Sequence, residues 1–285
     1  MSARPRIFSR GRALVFALIL LFTPLALGQA PFPAHGSVEL ISEESAVHPG
    51  QQISLGLHFT VESGWHTYWI NPGDSGQAAF VRWQLPPGWQ SGPLLWPVPK
   101  RIPDHSMVDY GYENDVVLIA PVRAPANLTI GRTVNMRASV EWLVCRDVCV
   151  PAQATVDLPL PVIAGTGVAY SRWRDLLEKA RAEIPTAAPK RWKIEVGSEP
   201  GHLIVQIDTG QRQTAMGFFP LDPNQVNNTI EPVISPYARG VRVVLTKSDQ
   251  LTGPIPRFKG VLVEAPGRAY TFSAPVVAIP SNHAK

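Results

Sequence analysis

The sequence predicts an all-β protein built from two β-sandwich domains. Its 29 Pro and 22 Gly residues are scattered between short runs rich in Val, Ile, Leu and Trp, which is typical of many short strands joined by turns. Helical periodicity is confined to one short segment. The chain that follows the N-terminal targeting segment is also too long for one sandwich and suits two domains of roughly 100 to 130 residues each.

The N-terminal segment has the pattern of a signal peptide. Four arginines precede the apolar run Ala13–Phe22, and small residues at Ala26 and Gly28 offer a cleavage point. The run is short for a bilayer and is ended by Thr23 and Pro24, which argues against a spanning helix. We therefore expect residues 1–28 to be removed on export, leaving a soluble protein outside the cytoplasm.

The basic character of the whole chain comes from this segment. It holds four Arg and no acidic residue, so the 26 Lys and Arg and the 22 Asp and Glu of the full chain become 22 of each after its removal. No basic face then remains to indicate a nucleic-acid partner or an anionic membrane partner.

The first domain, assigned to residues 29–165, contains six predicted strands. Several of them alternate apolar and polar residues, as half-buried strands do. In Thr133–Cys145, for example, the even-numbered residues from Val134 to Val144 form one apolar face. The six predicted strands are Ser37–Ser42, Gln52–Val61, Trp65–Ile70, Val116–Val122, Thr133–Cys145 and Ala154–Leu160.

A helix and a Pro/Ala-rich joint separate this domain from the second. Apolar residues repeat at helical spacing from Trp173 to Ala180, and Pro185 ends the helical segment 170–184. Residues 166–189 are therefore predicted as a linker, and residues 190–285 as a second, smaller sandwich. Its predicted strands are Trp192–Val196, His202–Ile207, Val241–Thr246, Gly260–Glu264 and Tyr270–Phe272.

The only two cysteines of the chain, Cys145 and Cys149, stand four positions apart. In an oxidising compartment such a pair is expected to be bonded, and a reversal through residues 146–148 would place the cysteines face to face at a hairpin tip. As a staple the bond would be weak, because closing a loop of about five residues removes only roughly 2 kcal/mol of unfolded-state entropy. Its place at an accessible tip favours thiol–disulfide exchange, with a structural bond or metal ligation as the alternatives.

Four motifs carry a resemblance to a known family. They are "GWHTYWINPGDSG" (64–76), "WQLPPGW" (83–89), "DYGYENDVVLIAPV" (109–122) and "WLVCRDVCVPAQATVDL" (142–158). Together they resemble the periplasmic N-terminal module of DsbD-type protein-disulfide reductases, in the branch related to the suppressor of copper sensitivity protein, ScsB. The resemblance covers most of residues 35–165 and extends more faintly to "GFFPLD" (217–222).

The resemblance implies immunoglobulin-like sandwiches, with Cys145 and Cys149 as the redox pair of a cofactor-free thiol:disulfide oxidoreductase. Electrons are expected to pass from a membrane-embedded thiol reductase to oxidised periplasmic thiol–disulfide proteins. The usual multi-helix membrane domain and thioredoxin-like domain are missing from this sequence, so the donor is expected to be a separate protein. The C-x3-C spacing is shorter than in the best-known DsbD modules and favours the ScsB-like branch.

The resemblance also implies a cap loop over the disulfide, at residues 103–114. Met107, Tyr110 and Tyr112 are the expected covering side chains, although the two tyrosines also fit ordinary strand-edge positions. Such an apolar lid would shield the pair from adventitious thiols.

Charged residues and possible metal ligands accompany the cysteines. Arg146 would favour a thiolate and Asp147 would oppose it, so the two charges roughly cancel, and both also fit ordinary turn positions. His66, His105 and Met107 could add soft ligands for Cu(I), but their spacing matches no metal motif, and we assign no metal and no cofactor. The competing function is a non-catalytic periplasmic binding module, for a protein or for copper, with a structural disulfide.

Overall fold

The computed structural model describes residues 35–278, together with Met1. The proposed signal peptide and the end of the second predicted domain lie outside the described residues. The elements of the first sandwich are β1 (Gly36–Ser42), β2 (Gln52–Val61), β3 (His66–Gly73), β4 (Phe80–Gln84), β5 (Gln90–Ser91), β6 (Lys100–Asp104), β7 (Met107–Glu113), β8 (Asp115–Arg123), β9 (Thr133–Cys145) and β10 (Cys149–Pro161), followed by helix α1 (Arg174–Ala182).

The remaining described residues form a second set of strands. These are β11 (Thr186–Ala187), β12 (Lys193–Glu199), β13 (His202–Asp208), β14 (Gly217–Pro220), β15 (Val233–Tyr237), β16 (Gly240–Thr246), β17 (Arg257–Ala265) and β18 (Arg268–Ala278). Because α1 is the only α-helix between residues 35 and 278, the all-β prediction is confirmed. No helix in this part of the chain has the length and apolar character that crossing a membrane requires.

Two sheets form the first sandwich. One has the strand order β1-β2-β8-β5, and the other has the order β10-β9-β3-β7-β6, with β4 paired to β9. The predicted apolar face of β9 lies in the core between them, where Met136, Ala138 and Val140 are at most 1% exposed. The alternation of this strand therefore determines which of its faces is buried.

Helix α1 packs on the outer face of the four-stranded sheet. Its Leu177 is fully buried and joins a small cluster with Ile41, Val117 and Ile119. These three residues lie in β1 and β8, on the side of the sheet away from the main core. The helix predicted over residues 170–184 thus covers the first sandwich as well as leading into the second.

In the second sandwich one strand, β18, links two groups of strands. The strands follow the order β14-β17-β18-β12-β13-β16-β15, with β11 paired to β18. Strand β18 runs antiparallel to β17 as far as Pro275 and then parallel to β12 from Val276 to Ala278. Phe218, Phe258 and Phe272 pack together in its core.

The segment expected to be a loop, residues 103–114, is instead most of a β-hairpin. Strands β6 and β7 pair from Lys100 with Gly111 to Asp104 with Met107. The chain turns at His105, whose φ of 53° lies in the left-handed region. The sequence "KRIPD" of β6 has no clear alternation and contains a proline, so its strand state depends on pairing with β7.

Strand β3 contains a large irregular bulge where it meets β7. Tyr68 pairs with Gly111 and Gly73 pairs with Asp109, so residues 69–72 stand opposite Tyr110 alone. Residues of the second sandwich pack against this bulge: the ring centroid of Phe219 lies 6.0 Å from that of Trp69 and 5.3 Å from that of Tyr110. The two sandwiches therefore share an aromatic contact directly behind β3 and β7.

Candidate functional site

The two cysteines form a disulfide at the tip of the β9–β10 hairpin. Cys145 ends β9, Cys149 begins β10, and the two are directly opposite in the antiparallel register. Their sulfur atoms are bonded and their Cα atoms lie 4.1 Å apart. The three-residue loop between them is closed by a hydrogen bond from the Arg146 N–H to the Val148 carbonyl, so the hairpin predicted from the cysteine spacing is present.

The two cysteines differ in their access to solvent. Cys145 is 2% exposed, whereas Cys149 is exposed to solvent. Val148, which precedes Cys149, is 64% exposed and adds an apolar side chain at the tip. An external thiolate therefore meets Cys149 before it meets Cys145.

Side chains of β3 lie beside the disulfide. His66 pairs with Cys145 across the sheet, and residues two apart on a strand share a face, so Tyr68 lies on the same side as His66. The Tyr68 hydroxyl oxygen is 3.5 Å from Cys149 Sγ, which is within hydrogen-bond distance for sulfur. Tyr68 is only 1% exposed, so its hydroxyl approaches that sulfur from a position shielded from solvent.

A buried carboxyl group stands behind Tyr68. Asp109, which is 0% exposed, accepts hydrogen bonds of 2.9 Å from both the backbone N–H and the hydroxyl of Ser75. The Tyr68 hydroxyl lies 3.5 Å from Asp109 Oδ2, and His66 Nε2 lies 3.4 Å from the same oxygen. A continuous polar path thus runs from Cys149 through Tyr68 to Asp109.

The Tyr68 phenol is held in its protonated form. Burial is the largest cause that raises its pKa to about 12; the Ser75 hydrogen bond lowers it, and the nearby Asp109 raises it further. A neutral phenol has one hydrogen to donate and can also accept. It can therefore donate to a thiolate on Cys149, or accept from a Cys149 thiol while donating to Asp109.

Close packing against Gly76 fixes the position of the Tyr68 ring. Gly76 has φ of +72°, and a Cβ built on it would lie 2.0 Å from Tyr68 Cζ. Both the backbone conformation and the space therefore require glycine here. The motif "NPGDSG" (71–76), which begins within the β3 bulge, thus supports the ring that contacts Cys149.

The proposed thiolate-tuning residues lie on the outside of the loop. Arg146 Nε is 2.9 Å from Asp147 Oδ2, and the two side chains are 54% and 73% exposed. The Arg146 guanidinium carbon also lies 4.9 Å from the centre of the Trp65 ring. Arg146 and Asp147 therefore neutralise each other next to the disulfide, and their effect on a thiolate stays a prediction.

The three expected cap residues occupy different environments. Met107 is 37% exposed. Tyr110 and Tyr112 are buried, and their hydroxyls donate to Asn228 Oδ1 at 2.9 Å and to the Pro97 carbonyl at 2.7 Å. The tyrosine whose hydroxyl contacts the sulfur is Tyr68, and a protective role for the segment around Met107 stays a prediction.

The possible copper ligands are not brought together as a group. His66 lies at the disulfide beside Asp109, while His105 lies at the exposed β6–β7 turn, 2.7 Å from Asp104. Within residues 35–278, no group of three or more His, Cys, Asp or Glu side chains has the arrangement of a metal site.

Three residues of this site were absent from the sequence prediction: Tyr68, Ser75 and Asp109. The alternation in "HTYW" places Tyr68 on the same face as His66. It could not place Tyr68 beside the disulfide, because the pairing of His66 with Cys145 was not predicted. Asp109 could not be found in this way, because β7 was not predicted as a strand.

The fold and the site together define an immunoglobulin-like sandwich that carries an accessible disulfide at a hairpin tip. Residues 37–161, a little under half of the chain, match the family model for the N-terminal part of the thiol:disulfide interchange protein DsbD. This match confirms the resemblance over the first sandwich. A comparison with curated protein sequences found no match.

A solved structure with a similar fold agrees with this architecture. The N-terminal periplasmic domain of ScsB from Proteus mirabilis is 16% identical, with a TM-score of 0.64 over 87% of this chain and 96% of that one. The major pilin subunit BcpA of Bacillus cereus is 10% identical, with a TM-score of only 0.28 over 86% of this chain and 69% of that one. The ScsB likeness extends across both sandwiches, and with the bonded cysteine pair the family match supports a thiol–disulfide exchange module.

Proposed function

We propose that this protein relays electrons from a membrane-embedded thiol reductase to oxidised periplasmic proteins through the Cys145–Cys149 pair. The observation that carries the proposal is the asymmetric disulfide itself, with Cys149 exposed at a hairpin tip and Cys145 buried behind it. A bond that closes so short a loop adds little stability, whereas an accessible bond can exchange with an incoming thiolate.

Reduction of the pair would proceed in two displacements. A thiolate of the donor attacks Cys149 Sγ, the Cys145–Cys149 bond breaks, and Cys145 leaves with the electron pair and takes up a proton. The second donor thiolate then attacks the mixed disulfide, releases Cys149 as a thiolate and leaves the donor oxidised. Two electrons have passed to the cysteine pair.

Transfer to the acceptor reverses these steps. The Cys149 thiolate attacks an acceptor disulfide, and one acceptor sulfur leaves as a thiolate and is protonated. Cys145 then loses its proton and attacks Cys149 Sγ, which restores the internal disulfide and releases the second acceptor thiol. Tyr68 would donate a hydrogen bond to Cys149 whenever it carries negative charge, since hydrogen bonds to ionised acceptors are the strong ones.

A periplasmic location is part of the proposal. It is supported by the signal-peptide pattern of residues 1–28 and by the likeness of the chain to a periplasmic domain. An exported compartment would also keep the pair oxidised until a dedicated donor reduces it.

The reduction potential of the cysteine pair tests the proposed function. Equilibration with glutathione should give a value between about −120 and about −300 mV, the range of exchange proteins. A potential well below about −300 mV would mark an inert structural bond and would favour the binding-module alternative. The double variant Cys145→Ala, Cys149→Ala, which has no thiol, controls for signals that do not come from the pair.

A further inference from the structure

One residue of the second sandwich makes three hydrogen bonds to the first. Asn228, which is 5% exposed, donates from Nδ2 to Asp74 Oδ1 at 2.7 Å and accepts from the Tyr110 hydroxyl at Oδ1 at 2.9 Å. Its backbone carbonyl accepts from an Arg101 guanidinium N–H at 2.7 Å. The three partners come from the loop after β3, from β7 and from β6, so Asn228 joins separate elements of the first sandwich.

Asp74, which accepts a hydrogen bond from Asn228, is in turn bonded to the strand that carries Asp109. Asp74 Oδ2 accepts from the Val108 N–H at 2.8 Å, and the Asp74 N–H donates to the Val108 carbonyl at 3.1 Å. Val108 and Tyr110 are the neighbours of Asp109 on β7. Asn228 therefore holds the strand on both sides of Asp109, through Asp74 on one side and Tyr110 on the other.

The second sandwich also supports the first one at the β3 bulge. The Asn71 Nδ2 group, within the bulge, donates to the Pro220 carbonyl of β14 at 2.8 Å, and Asn71 is 1% exposed. The Phe219 ring packs against both Trp69 and Tyr110, which also contact each other. The irregular part of β3, directly after Tyr68, is thus supported by the second sandwich.

We propose that Asn228 is a positioning residue for the redox site: through it, the second sandwich holds β7 and the β3 bulge so that Tyr68 and Asp109 stay in place at Cys149. The inference rests on the proposed exchange function. Keeping Tyr68 in place should shift the redox equilibrium of Cys145 and Cys149 toward the reduced form. A Cys149 thiolate accepts a strong, charge-assisted hydrogen bond from the Tyr68 hydroxyl. A thiol can donate a weak one to it, whereas the sulfur of a disulfide is a weak acceptor and no donor.

The test is the equilibrium constant for reduction of Cys145–Cys149 by glutathione. Replacing Asn228 by Ala should lower this constant roughly three- to tenfold, about 15 to 30 mV, which is the effect of weakening one hydrogen bond to the reduced form. Ile230→Ala is the matched control, because Ile230 belongs to the same loop and is 47% exposed. That variant should match the wild type.

A double-variant cycle separates positioning from general loosening. If Asn228 acts through Tyr68, Asn228→Ala should have no further effect in a Tyr68→Phe protein. An equally large effect in that background would overturn the proposal, and so would an Asn228→Ala constant within twofold of the wild type.

A second variant covers the case in which Asn228→Ala does not fold. Tyr110→Phe removes the hydroxyl that donates to Asn228 and keeps the ring against Phe219, so it should lower the constant in the same direction. An unchanged constant in Tyr110→Phe would then overturn the inference. The proposed function is judged separately, from the wild-type potential, while the positioning role is judged from the ratio of variant to wild type.

Discussion

The Tyr68 hydroxyl lies 3.5 Å from the sulfur of Cys149 and 3.5 Å from Oδ2 of the buried Asp109. One phenol thus lies between the exposed cysteine and a carboxyl group that is fully enclosed. Because the phenol has a single hydrogen, it can serve only one of these two acceptors at a time. The hydrogen bonding of Tyr68 is therefore expected to change when the disulfide is reduced.

Tyr68→Phe should slow the reaction of the reduced protein with electrophiles. The change removes the donor to a Cys149 thiolate, which disfavours the charged form of the sulfur, so the pH midpoint of alkylation by iodoacetamide should rise. At neutral pH we expect a rate roughly three- to tenfold lower, as for the loss of one hydrogen bond of about 1 kcal/mol. An unchanged pH profile would exclude Tyr68 from thiolate stabilisation.

Cys145→Ala and Cys149→Ala should differ strongly in reactivity. With Cys145 replaced, the exposed Cys149 should react readily with an aromatic disulfide reagent and should trap a mixed disulfide with a partner. With Cys149 replaced, the remaining Cys145 is 2% exposed and should react at least about tenfold more slowly, because exchange needs access to the sulfur. Equal rates in the folded proteins would contradict the assignment of Cys149 as the attacking residue.

Gly76→Ala should lower the rate of thiol exchange, whereas Gly131→Ala, a replacement with similar backbone strain, should not. At Gly76 a Cβ would collide with the Tyr68 ring, whereas a Cβ added at Gly131, with φ of +82°, would have no atom within 4 Å. Both changes carry the cost of a left-handed residue, about 1 kcal/mol. Only Gly76→Ala should also lower the rate of thiol exchange, and a similar loss in Gly131→Ala would argue against a role for the Tyr68 contact.

Asp109→Asn should destabilise the first sandwich by about 1 to 3 kcal/mol. Both oxygens of Asp109 accept hydrogen bonds from Ser75, and an amide NH₂ group in place of one oxygen would face donors. Urea denaturation measures the loss, and Ser75→Ala, which removes one donor and leaves the carboxyl, should cost less. An Asp109→Asn protein as stable as the wild type would contradict a stabilising role for the two Ser75 hydrogen bonds to this carboxyl group.

Buried tyrosines should make the fold sensitive to alkali. Burial is the main cause that raises the pKa of Tyr68 and of Tyr110 to about 12, above the ordinary value of 10. The unfolded chain therefore loses these protons first, so the stability that they contribute is complete below pH 10 and is lost as the pH rises from 10 through 12. Denaturation midpoints over this range should fall less steeply for Tyr110→Phe than for the wild type, and parallel curves would contradict the assignment.

The sequence alone was sufficient for the elements that have a strong local pattern. Strand β9 was predicted with its observed bounds because apolar residues alternate along its whole length, and α1 was found because its apolar stripe has helical spacing. The hairpin with Cys145 opposite Cys149 followed from a spacing that leaves only three residues for a turn. The family resemblance was carried by these same local motifs.

Tertiary structure decided the surroundings of the sulfur atoms. Asp109 lies 36 to 40 positions before the cysteines, and it reaches Tyr68 only because β7 pairs with a bulged β3. The sequence pattern of β7 does not specify that partner strand. Asn228 lies still farther along the chain and contributes through contacts between the two sandwiches. Side-chain periodicity reports which face of a strand is buried, whereas strand pairing and the contact between domains determine which distant residues meet there.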